Sequence, residues 1–172
     1  MNPLPQPLCI QLCDHLDAEI GVHRRLLASS EAKTAEIVAH NIPAFTQLLQ
    51  REQAPVAEMA RLRQLRERLM RQVASNLGVK ADGLTMSIIL TAVQEAMRGD
   101  LRRRQQDLTA VIAALRDINQ RNMVLIQQSL SFVRAMLHGL VGEKLPKGHP
   151  YDRRGLLGAS LHGNGRLLNL RG

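Results

Sequence analysis

Between Pro55 and Pro146 the chain has no proline, and from Leu101 onward apolar residues return every seven positions. Leu101, Leu108 and Leu115 lead into Asn122, Ser129 and Met136. Val111, Ile118, Leu125 and Phe132 form a companion row, and Ile112, Asn119, Ile126, Val133 and Leu140 a third. Rows repeating at seven, with neighbours three or four positions away, share one face of an α-helix. A strand would instead alternate at every second residue. A helix of about 40 residues is about 60 Å long. A stripe three rows wide exceeds what a two-stranded seam needs. The segment commits the chain to helix-on-helix packing.

The other segments agree. Aromatic residues are limited to Phe45, Phe132 and Tyr151, with no tryptophan, so Leu, Ile, Val, Ala and Met must build the core. A first seam carries Cys9, Cys13, Leu16, Ile20, His23, Leu27, Ser30, Thr34 and Ile37, and weakens at Ser29–Ser30. Asn41 offers an N-cap, with Pro43 just inside the helix that follows. That helix is predicted over Ile42 to Leu77, with Leu48, Met59, Leu62, Leu69 and Val73 in its seam and Gly78 as its C-cap. Pro55 is expected to kink or break it. Arg61, Arg63, Arg66, Arg68 and Arg71 give it a basic outer face. Residues 79–83 are turn-like. Thr85 or Ser87 can cap a short helix through Met97, Gly99–Asp100 reads as a joint, and Asp100 as a cap for the third long helix. The expected fold is all-α: an elongated antiparallel bundle or coiled coil of three long helices plus one short helix, over residues 1–141. Residues 142–172 hold seven of the twelve glycines and six Lys or Arg against two acids. That composition predicts a flexible basic tail.

Few function classes fit. There is no glycine-rich phosphate loop, because there is no strand to carry one. His15, His23, His40, His138, His149 and His162 are scattered, and Cys9 and Cys13 lack further ligands at zinc spacing. No catalytic residue, metal or cofactor is expected. The cysteines read as core packing. The acids at 14, 17 and 19, and the Glu52–Gln53 pair, read as solvated helix faces. The N-terminal residues lack a basic region followed by an apolar run, and no stretch is long and apolar enough for stable membrane insertion, so a cytoplasmic location is expected. A net charge of +8 permits an acidic partner, anionic lipid or nucleic acid and selects none of them. The run Arg98–Arg104 is the best candidate for nucleic acid, but stacking aromatics and a recognition motif are missing, and nucleic acid is not an expected partner.

The amides of Asn119 and Asn122 stand out in an apolar seam, since Asn is a poor residue for a helix interior. They either fix register or hydrogen-bond a partner. The width of the stripe allows two readings. All three rows can face the other helices, or part of the stripe can be left open for a partner helix. In the second case Leu125, Ile126, Phe132, Val133 and Met136 are the anchors, with Phe132 central and Met97 and Met123 adding adaptable surface.

These residues resemble a known family. Asn119-x-x-Asn122-x-x-Leu125-Ile126-x-x-Ser129-Leu130-x-Phe132 is similar to the signature of FlgN-type flagellar export chaperones. The stretch from Ala39 to Leu48 resembles that family's break between its first two helices. Arg51-Glu52-Gln53 resembles the step that follows, and Tyr151-Asp-Arg-Arg-Gly155 its tail motif. The resemblance implies a small helical cytoplasmic chaperone. It would hold the hook–filament junction proteins by their disordered terminal helices, prevent premature assembly, and deliver them to the cytoplasmic domain of the flagellar export gate. Client binding would fall by position on Asn119, Asn122, Leu125, Ile126, Ser129, Phe132, Val133, Met136 and Leu140, and gate docking on Tyr151 and Gly155. Two competing classes remain: a basic helical nucleic-acid binder, with steeply salt-dependent binding, and a coiled-coil adaptor with its third helix fully buried.

Overall fold

The computed structural model describes residues 3–141 of the chain. Four helices follow one another: α1 Gln6–Val38, α2 Ile42–Leu77, α3 Met86–Ala92 and α4 Glu95–Val141. A single 3-10 turn, Ala81–Gly83, joins α2 to α3. No strand occurs among the described residues. Residues 142–172, where the tail is expected, lie outside them.

Both ends of the first hairpin are set locally. Asn41 caps α2 by accepting from the Ala44 N–H at 3.3 Å, with Pro43 in the first turn where no N–H is needed. α1 ends with His40 at φ 53°, the Asn41 N–H reaching back to the Glu36 carbonyl at 2.9 Å. α2 ends the same way at Gly78, φ 69°, with the Val79 N–H on the Ala74 carbonyl at 3.0 Å. α2 runs through Pro55 without a break.

The short helix corrects the expected boundaries. Thr85 caps it, accepting from the Ile88 N–H, but it ends at Ala92 rather than Met97. Val93 is extended, at φ −80° and ψ 142°, so the break falls there. Gly99–Asp100 is no joint: both lie inside α4, and Asp100 pairs with Arg103 at 3.0 Å instead of capping. The physical reason is Arg98. Its guanidinium donates to the carbonyls of Leu90 (2.9 Å) and Val93 (3.2 Å), satisfying the end of α3 from within the first turn of α4. The Leu4 N–H takes the Ala92 carbonyl at 2.8 Å.

Residues up to Leu130 form one unit, and Ser131–Val141 is the described part of a second. Within the first unit, cross-links fix direction. Asp17 meets Arg104, Ser30 meets Asn119, and Thr34 meets Asn122, so residue numbers rise together on α1 and α4. Those helices are parallel. Arg25 with Glu58, and Lys33 with Glu52, run in opposite senses, so α2 is antiparallel to α1.

The core sits at one end, here called the base. Leu4, Leu8, Cys9, Leu12, Cys13 and Leu16 pack with Leu69, Val73 and Leu77 of α2, with Ile89, Ala92 and Val93, and with Leu101. Leu101 is 1% exposed. Burying such a side chain contributes about 1.5–3 kcal/mol, and truncating it to Ala costs about 2–5 kcal/mol. Both cysteines are free, and burial pushes both thiols above their ordinary range.

Two faces expected to be solvated are not wholly so. Glu19 is buried, its Oε1 3.3 Å from Arg66 of α2 and 3.3 Å from the buried His15. Glu52 is largely covered and holds Lys33 at 2.8 Å. Each carboxylate faces the neighbouring helix, where a cation replaces its water. Asp14 and Asp17 are exposed as expected.

Candidate functional site

Two rows of α4 form its seam. Leu101 and Val111 are buried, and Leu108, Leu115, Ile118, Leu125 and Ser129 are half-buried. These alternate three and four apart, a narrow stripe. The third row faces outward: Ile112, Asn119 and Ile126 are exposed.

Where the seam reaches Asn122 it becomes polar. Asn122 is 5% exposed, and its Nδ2 donates to the Ser30 carbonyl at 2.8 Å. That carbonyl can only accept, so the amide nitrogen must face it, which turns Oδ1 toward Thr34. The Thr34 hydroxyl donates to Oδ1 at 2.7 Å. One turn back, the Ser30 hydroxyl donates to Asn119 Oδ1 at 2.9 Å. Four side chains, at i and i+4 of α1 and i and i+3 of α4, thus satisfy one another. The weakening of the α1 seam at Ser29–Ser30 is where α1 meets these amides.

Beside this cluster lies an open cavity of about 310 Å³. Phe45 and Leu49 of α2 and Met123 and Ile126 of α4 form apolar walls, and Lys33, Asn119, Asn122 and Gln127 complete the lining. The structure brings Asn119, Asn122 and Ile126 together here. Sequence reasoning placed Ser30 and Thr34 in the α1 seam and gave no site role to them, to Phe45 or to Leu49. Phe45 and Leu49 stand four apart near the start of α2, a pattern that marks a helix face but not which helix it meets.

The described part of the second unit is a helix whose side chains through Gly139 are all exposed. Phe132 is 63% exposed, and Val133, Met136 and Leu137 are each about half exposed. At i, i+1, i+4 and i+5 they share one face. Leu137 belongs to this face and was not among the expected anchors. Leu140 lies in the helix, but its side chain is outside the described residues, as are Tyr151 and Gly155.

The basic run is largely occupied. Arg98 caps α3 and pairs with Glu95, Arg103 pairs with Asp100, and Arg104 Nε lies 2.9 Å from each Asp17 oxygen. The hydrogen bond to Asp17 raises the Arg104 pKa further. Among the described residues, no group of three His, Cys, Asp or Glu is placed to hold a metal, and no helix is long and apolar enough to cross a membrane.

Compared with known proteins, the chain matches a family model described as FlgN protein over residues 8–158. No curated protein and no solved structure matches it.

Proposed function

The chain belongs to the FlgN family of flagellar export chaperones, and on that premise we propose that its clients are the hook–filament junction proteins. It takes their disordered terminal helices in the cytoplasm, prevents premature assembly, and passes them to the cytoplasmic domain of the export gate. The observation that carries this reading is the run of exposed apolar residues Phe132, Val133, Met136 and Leu137 on one helical face. A client segment that stays disordered until bound cannot bury its own apolar face, and this face offers cover. Coupled folding lowers affinity per unit area, which suits a cargo that must be released. Ile126 and Leu125 belong to the same reading, with Asn119, Ser129 and Leu140, while Asn122 acts from inside the seam. Gate docking is assigned to Tyr151 and Gly155, from the resemblance of the tail motif.

The test is co-purification with C-terminal helical segments of hook–filament junction proteins at low and moderately high salt. A discrete, salt-resistant complex is expected. No complex, or one that dissolves with modest salt, would overturn the apolar docking and return weight to an adaptor or a nucleic-acid binder.

A further inference from the structure

Along α4 the attachment to α1 and α2 changes in kind. Leu101 and Val111 are buried apolar residues. Beyond Val111, among the described residues, the one buried side chain of α4 is Asn122. At the base, contacts are non-directional and driven by area. In the distal half, the contacts around Asn122 are directional: Ser30 to Asn119, Thr34 to Asn122, and Asn122 to the Ser30 carbonyl. The open cavity beside them, with both asparagines in its lining, brings solvent to the edge of this cluster, within which Ser30 is 2% and Asn122 5% exposed. Ser29, next to Ser30, has a buried hydroxyl with no hydrogen-bond partner within the protein.

Protein hydrogen bonds exchange for bonds to water at small net cost, whereas separated apolar surface finds no such replacement. Leu115, Ile118 and Leu125 are only half-buried, so less area is lost there than at Leu101. The distal half of α4 therefore parts from α1 more readily than the base does.

We propose that Ser30, Thr34, Asn119 and Asn122 form a latch. The part of α4 from about Leu115 to Leu130 releases from α1 and re-engages while the base stays closed. Released, that part has no tertiary support, and helices in proteins draw most of their stability from packing. Its backbone amides then exchange with solvent. This device does not depend on which client the chain carries.

Hydrogen–deuterium exchange with mass spectrometry on the full chain tests it. Peptides covering 115–127 are expected to exchange about tenfold faster than those covering 101–111. Asn122→Ala should accelerate 115–127 by roughly a further fivefold and leave 101–111 unchanged. The double variant Thr34→Val with Asn122→Leu replaces the latch by apolar contact and should slow 115–127 toward the rate of the base. Equal rates in the parent, joint acceleration of both segments in Asn122→Ala, or no slowing in the double variant would each overturn the latch. If Asn122→Ala fails to fold, the parent comparison and the double variant still decide.

Discussion

Glu19 of α1 keeps 2% of its side chain exposed while the Arg66 that faces it, 3.3 Å away on α2, keeps 50%. The pair is lopsided: the anion is fully desolvated and the cation half hydrated. Removing Arg66 leaves Glu19 with His15 alone, so Arg66→Ala should lower stability, by about 1 kcal/mol once solvent screening is allowed for. Glu19→Leu removes the desolvated charge and should leave stability unchanged or raise it. Urea denaturation of both variants checks the contrast. A larger loss in Glu19→Leu than in Arg66→Ala would refute it.

Three backbone positions should respond with different signs. Gly78 has φ 69° and open space where a side-chain methyl would sit, so Gly78→Ala carries only the left-handed strain and should cost about 1 kcal/mol. His40 holds a similar φ without being glycine, so His40→Gly should stabilise by about 0.5–1 kcal/mol. Gly99 lies inside α4 with nothing within 4 Å of an added Cβ, so Gly99→Ala should also stabilise by roughly 0.5–1 kcal/mol. Shifts in urea midpoint at constant slope are the readout.

These positions also show what the sequence discloses. α2 is legible from Ile42 to Leu77 because its signals are local: Asn41 and Pro43 at one end, Gly78 at the other. The start of α4 is misplaced by sequence because Arg98 reaches back eight residues to Leu90, and a Gly-Asp pair outweighs such a contact when only neighbours are visible. Glu19 reads as solvated because its partner Arg66 lies far along the chain, on another helix. The asparagines are recognisable as misfits in an apolar seam, but Ser30 and Thr34 as their partners require the register between α1 and α4. Pro55 looks like a breaker, yet α2 continues through it.

Phe132 is exposed, so its removal should leave the fold intact. Phe132→Ala is expected to change stability by less than about 0.5 kcal/mol. Client affinity should fall about tenfold or more. Circular dichroism melts paired with titration calorimetry separate the two effects. A loss of helicity in this variant would remove the argument for a binding role.

The two buried thiols predict a pH dependence. Desolvation raises both above the ordinary value of 9.0. The folded chain therefore holds these protons where the unfolded chain releases them. Their contribution to stability is complete below pH 9.0 and is lost as pH rises through the window above it. Denaturation at a series of alkaline pH values should show a shallower decline for Cys9→Ala/Cys13→Ala than for the parent, although that variant starts less stable. Identical slopes would contradict this assignment.

The base draws on Leu4 to Leu16, Leu69 to Leu77, and Ile89 to Leu101, which are distant in sequence. The base is complete only once Leu101 has left the ribosome. The hairpin of α1 and α2 around Asn41 needs only its neighbours and is complete much sooner. During synthesis the weakly packed end is thus assembled first, and its Ser30 and Thr34 stand in water until α4 arrives to cover them.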